Sequence, residues 1–136
     1  MGNAMPLIAV VDDEVSVRTM LRRALRLAGY EVATFASGEE FLDSLPSCSP
    51  ACAILDIRLP GLSGLEVDVR MRAQNLRVPV VLITASDDPA LDRAARAAGA
   101  LCLLRKPFST DALLAAVHRA VADPARDPSA HGVLPN

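Results

Sequence analysis

Five short apolar runs recur along the chain, each closed by a polar residue, and stretches of helical periodicity separate them. Leu7 to Val11 is the first run, ended by Asp12, Asp13 and Glu14. Glu31 to Phe35 is shorter and alternates in polarity, as a strand at a sheet edge does. Ala51 to Leu55 is unbroken and stops at Asp56, with the Pro60-Gly61 turn shortly beyond. Val78 to Ile83, apolar apart from Pro79, delivers Thr84, and Ala100 to Leu104 ends in Arg105, Lys106 and Pro107. Pro79 suits the first residues of a strand, where no ladder donor is needed. Continuous apolar runs of this length predict strands buried on both faces.

Between the runs, Val17, Met20, Leu21, Ala24, Leu25 and Ala28 fall on one helical face, with Arg18, Arg22, Arg23 and Arg26 opposite, and Gly29 closes the helix. Ser37 with Glu40, and Ser63 with Glu66, have the spacing of capping boxes. The second opens a segment with a conflict. Val67, Val69 and Met71 alternate with Asp68, Arg70 and Arg72, a strand-like pattern, but the cap and the rhythm of the chain favour a helix. Asp87 and Asp88 before Pro89 open an alanine-rich helix that Gly99 closes. Ser109 caps the last helix, whose stripe is Leu113, Leu114, Val117, Ala120 and Val121. Strands alternating with helices predict an α/β fold, a doubly wound parallel sheet with helices on both faces.

The pattern describes a single domain over residues 5–122. Residues 1–4 precede a second methionine, Met5, and are expected to be a cloning remnant outside the fold. Residues 123–136 carry Pro124, Pro128 and Pro135 without periodicity and are expected to be a linker or disordered tail.

Composition narrows the function. A net charge of −2, with 51% hydrophobic residues, argues against direct nucleic-acid binding. No run has membrane-spanning length and none resembles a signal peptide, so the expected residence is cytoplasmic and off the membrane. Cys48, Cys52 and Cys102 lack metal-ligand spacing, and the last two lie in apolar runs as buried thiols would.

The chemistry lies at the strand ends. In a parallel sheet the carboxyl ends of all strands share one edge, where ligands bind in open α/β folds. That edge would gather Asp12, Asp13, Asp56, Thr84 and Lys106. Three carboxylates in one site need a positive charge among them. Oxygen ligands without imidazole or thiolate favour a hard cation, with Mg²⁺ first. Lys106 is the only lysine beside thirteen arginines, a compact ammonium suited to a phosphate oxygen or carboxylate. Singly, each residue has an ordinary explanation: a cap, a strand residue, a loop. As an ordered set at successive strand ends, they do not.

On Val-Val-Asp-Asp-Glu (10–14), Leu-Asp-Ile-Arg-Leu-Pro-Gly-Leu-Ser-Gly (55–64), Ile-Thr-Ala (83–85) and Lys-Pro-Phe (106–108), the chain resembles the receiver domain of two-component response regulators over roughly residues 7–121. The resemblance implies a flavodoxin-like (βα)5 fold with strand order 2-1-3-4-5. It implies that Asp56 accepts a phosphoryl group from the phosphohistidine of a sensor histidine kinase or histidine phosphotransfer protein. Mg²⁺ would be held by Asp13, Asp56 and the backbone carbonyl of Arg58, with Asp12 acting through metal-bound water. Thr84 and Lys106 would hold the phosphoryl oxygens. The domain would be a signalling phosphoacceptor rather than an enzyme, switching a partner or an output domain beyond residue 136, and a phosphorylation-dependent dimer is compatible with it. The family usually has an aromatic residue three positions before the lysine, where this chain has Leu103. Two other functions compete. A Mg²⁺-dependent aspartyl-phosphate phosphatase of the haloacid dehalogenase type needs a second aspartate two residues after the nucleophile, where Arg58 stands. A degenerate receiver that binds partners without phosphorylation would not need the complete acidic set.

Overall fold

The three central strands are buried on both faces, which is why their sequences run apolar without alternation, while the two outer strands are only partly buried. In the computed structural model, which describes residues 5–122, β1 is Leu7–Val11, β2 Glu31–Phe35, β3 Cys52–Asp56, β4 Val80–Thr84 and β5 Cys102–Arg105. All neighbours pair in parallel, in the order β2-β1-β3-β4-β5. The expected strand order holds. The helices α1 (Val15–Leu27), α2 (Gly38–Ser44), α3 (Gly64–Ala73), α4 (Ala90–Ala98) and α5 (Thr110–Val121) cover the two faces.

Successive residues of one strand feed opposite layers. Ile8 and Val10 join Leu21 and Leu25 of α1 and Leu113 and Val117 of α5. Ala9 and Val11 join Phe41 of α2, Val67 and Met71 of α3 and Ala95 of α4. Each fully buried aliphatic side chain contributes about 1.5–3 kcal/mol. Among the described residues, no helix is long and apolar enough to cross a membrane.

Three strands start later than expected, β3 by one residue at Cys52 rather than Ala51. β4 starts at Val80, not Val78, because Pro79 has no N–H for a ladder, although its carbonyl accepts the Ala53 N–H at 2.9 Å. β5 begins at Cys102 rather than Ala100, whose N–H instead closes α4 on the Ala95 carbonyl at 3.0 Å. At its other end β5 takes in Arg105, paired with Thr84. Cys52 is buried as expected, whereas Cys102 is only half-buried, on the edge strand. The tail from Asp123 and the first four residues lie outside the described residues.

The ambiguous 67–72 segment is helical. Both halves of the Ser63–Glu66 capping box form, and Gly64, Val67, Asp68 and Met71 make the buried face. That face carries an acid. Asp68 is 2% exposed, its Oδ1 lies 3.9 Å from Arg72 Nε, and its Oδ2 has no hydrogen-bond partner among the described residues. Arg72 in turn donates to the Gly99 carbonyl at 3.2 Å, tying α3 to the end of α4. Burial pushes the Asp68 carboxyl up from 3.8 to about 6, and the Arg72 charge offsets this only in part. A carboxyl with a raised folded pKa stabilises the fold in its protonated form. That contribution is complete below its unfolded pKa and is lost as pH rises through about 6. Replacing Asp68 by Asn should therefore flatten the fall in stability between about pH 4 and pH 6, on the order of 1 kcal/mol. Urea denaturation across this range checks it, and an unchanged slope in Asp68→Asn would refute it.

Candidate functional site

The carboxyl ends of β1, β3, β4 and β5 open on one rim, and the polar residues that terminate the apolar runs meet there. Asp12 follows β1 and is fully buried. Its N–H donates to the Phe35 carbonyl (3.1 Å), and its Oδ1 accepts the Glu14 N–H at 2.9 Å. Its own carbonyl accepts from Arg18 Nη1 at 2.6 Å. Asp13, next in the chain, is exposed. Asp56, the last residue of β3, is 5% exposed; its Oδ1 accepts the Arg58 N–H at 3.1 Å. Carboxylate oxygens of Asp12, Asp13 and Asp56 all lie within 4.8 Å of one another.

Lys106 closes the cluster from the far strand. Its backbone N–H donates to the Thr84 carbonyl at 2.7 Å, prolonging the β4–β5 ladder by one bond. Its Nζ then sits 3.3 Å from Asp12 Oδ2, 3.3 Å from Asp56 Oδ2 and 3.8 Å from Glu14 Oε1. One ammonium thus faces three acids, two of them buried.

Burial pushes the Asp56 carboxyl up from 3.8 to about 6; the Arg58 N–H works against this, Asp12 adds to it, and the Lys106 charge lowers it. Burial alone would lower the Lys106 ammonium, but the carboxylates of Asp56 and Asp12 outweigh that and hold it raised. At neutral pH the site therefore contains an ionised, poorly solvated carboxylate beside an ammonium. The residual negative charge and the all-oxygen donor set suit a hard divalent cation.

Thr84 ends β4 and is buried, yet its hydroxyl is turned to its own loop. Oγ1 accepts the Ser86 N–H at 3.1 Å and, among the described residues, bonds none of the carboxylates. The structure thus brings Asp12, Asp13, Asp56 and Lys106 together and places Thr84 one strand over. Arg58 meets Asp56 through its amide.

Four contributors were not foreseen as parts of the rim. Glu14 reaches Lys106, and Arg18 reaches the Asp12 carbonyl. Glu39, in the first turn of α2, accepts the Leu62 N–H at 3.1 Å and so ties down the loop after β3. Gly61 in that loop has φ 75°, and a methyl group there would collide with the Glu39 carboxylate. Arg105, beside Lys106, spans the loop after β4. Glu14 and Arg105 left a trace in the sequence, as charges at the ends of apolar runs.

Comparison with known proteins places this arrangement. The profile of the family described as "Response regulator receiver domain" matches residues 8–118. The transcriptional regulatory protein FixJ of Bradyrhizobium diazoefficiens is 39% identical over 120 residues, covering 87% of this chain and 58% of FixJ. The DNA-binding transcriptional regulator NtrC of Escherichia coli K12 is 40% identical over 118 residues, 85% of this chain and 25% of NtrC. The chain thus spans between a quarter and three-fifths of the length of these relatives. Among solved structures, the chemotaxis protein CheY4 of Vibrio cholerae superposes with a TM-score of 0.78 at 34% identity, covering 86% of this chain and 99% of that one. Full-length FixJ of B. japonicum gives 0.84 at 36% identity, covering 95% and 63%.

Proposed function

Since the chain belongs to the response regulator receiver domain family, we propose that Asp56 is its phosphoacceptor, taking a phosphoryl group from a histidine kinase or histidine phosphotransfer protein. The observation that carries this reading is the convergence of Asp12, Asp13 and Asp56 within 4.8 Å, with Lys106 Nζ 3.3 Å from Asp56 and Asp12. In the transfer, a carboxylate oxygen of Asp56 bonds to phosphorus while the P–N bond of the donor breaks and its electron pair stays on the imidazole. Such reactions need positioning and charge neutralisation more than proton transfer. Lys106 supplies a fixed positive charge where the phosphoryl oxygens arrive. Asp56, with its carboxyl near 6, is ionised and nucleophilic at neutral pH.

Asp13, Asp56 and the Arg58 carbonyl would hold Mg²⁺ directly, with Asp12 acting on it through water. The ion would supply charge neutralisation to the incoming dianion. Thr84 would turn its hydroxyl from Ser86 to a phosphoryl oxygen. The receiver proper is residues 5–122. Its output is a domain joined beyond residue 136, or a separate partner in the cytoplasm. Relatives that extend past the shared region and are named transcriptional regulators support the first alternative. Uptake of a single phosphoryl group from acetyl phosphate in the presence of Mg²⁺, read by intact mass, tests the proposal.

A further inference from the structure

Arg105 is the last residue of β5 and the immediate neighbour of Lys106, but its side chain turns away from the carboxylates. Its guanidinium is committed to one segment. Nε donates to the Ser86 carbonyl at 3.2 Å, Nη2 to the Asp88 carbonyl at 2.7 Å, and Nη1 to Asp92 Oδ1 at 3.1 Å. These acceptors begin two residues after Thr84 and end in the first turn of α4. Ser86 is therefore held from both sides, its N–H on Thr84 Oγ1 and its carbonyl on Arg105. A planar fork with fixed donor directions can satisfy three acceptors at once, which a lysine ammonium cannot match in this geometry.

We propose that Arg105 is a positioning residue: it pins the β4–α4 loop to β5 in the arrangement that commits Thr84 to Ser86, and so sets how readily Thr84 turns to a phosphoryl group. This rests on the function proposed above. On this proposal, bringing the Thr84 hydroxyl to an oxygen on Asp56 swings Oγ1 away from the Ser86 N–H and shifts the loop against β5. Bonds made only in the resting arrangement subtract from the affinity of any ligand that requires the other one. Leu103, two residues earlier, packs among the apolar side chains beneath α3 and α4 and has no polar group to take part. The link between the site and the α4 surface then runs through the Arg105 guanidinium. The Arg105 side chain is 32% exposed, so solvent screening limits its effect to severalfold.

Beryllofluoride with Mg²⁺, a phosphoryl mimic, provides the test on the full chain. Its affinity is read by NMR titration of the Ala85 and Ser86 amides, with thermal melts of the ligand-free proteins alongside. Arg105→Ala should bind about fivefold more tightly than wild type, the scale of a partly exposed charge-assisted contact, while melting at a lower temperature. Asp92→Asn keeps an acceptor oxygen for Nη1 but removes the charge that strengthens the bond, and should shift affinity the same way by a smaller factor. Arg105→Lys should fall between wild type and Arg105→Ala. A merely structural anchor would lower the melting temperature and leave affinity unchanged or weakened, and that result in Arg105→Ala and Asp92→Asn would overturn the proposal. Failure of the wild type itself to bind beryllofluoride would instead remove the phosphoacceptor reading on which it rests.

Discussion

Lys106→Ala is expected to slow phosphorylation of Asp56 by small donors about a hundredfold or more, the usual scale for losing one preorganised charge at a transferring group. The Nζ lies 3.3 Å from Asp56 Oδ2 and from Asp12 Oδ2, so it is already placed before any donor arrives. Without it an incoming dianion meets uncompensated carboxylates. The same change removes the cation from two buried acids, and the metal-free protein should lose about 2 kcal/mol at pH 8. The pH dependence of that loss is diagnostic. Lys106 lowers the Asp56 pKa, so the variant's Asp56 takes up its proton at a higher pH than the wild type's value of about 6. The stability gap should be widest at high pH, narrow as the variant's acid protonates on the way down to about pH 6, and level off below that. Denaturation in chelator across this range measures it. A variant as stable as wild type at pH 8, with transfer slowed only severalfold, would mean that Lys106 is incidental to the site.

Gly64→Ala should be nearly as damaging, although residue 64 touches no ligand. Gly64 opens α3 directly against the backbone that carries the acceptor. A methyl group there would overlap the Asp56 carbonyl oxygen and come within 3.0 Å of the Asp56 carbonyl carbon and 3.2 Å of Ile57 Cα. Backbone is on every side, and the Gly64 N–H is itself bonded to the Ile57 carbonyl at 3.1 Å, so relief requires α3 to move from β3. Overpacking of this kind costs about 3 kcal/mol. Displacing the carboxylate by a fraction of an ångström should also slow transfer about tenfold, since phosphoryl transfer depends on alignment. Urea denaturation and labelling rates measured together check this. Full stability in Gly64→Ala would show that α3 yields freely and does not position Asp56.

The sheet was legible because its three central strands are buried on both faces and appear as apolar runs, while the alternation of β2 marks it as an edge. The acceptor edge was legible for the same reason: Asp12, Asp56 and Thr84 stand out as the first polar residues after those runs. Strand bounds were less so, since they depend on partners. Pro79 lacks a donor, and Arg105 joins β5 only because Thr84 lies opposite. Asp68 could not be read from the pattern, which alternates like a strand while the chain is helical and turns the acid inward. Glu39 and the Leu62 amide are 23 residues apart and meet only because α2 packs beside the loop after β3. Nothing local in either segment announces that bond. Arg105 was visible as a charge, but its acceptors are two backbone carbonyls and Asp92, and carbonyl directions are not written in side-chain identity.

The phosphoacceptor assignment stands on Asp56, and the most direct measurement compares intact masses of wild type and Asp56→Asn after incubation with acetyl phosphate. Asn keeps the size of the side chain and its acceptor oxygen for the Arg58 N–H, so the rim should stay folded while the nucleophile is lost. The account predicts one added phosphoryl group on the wild type with Mg²⁺, none in chelator, and none on Asp56→Asn under either condition. Labelling of Asp56→Asn at the wild-type rate, or labelling of the wild type that proceeds equally well in chelator, would contradict it.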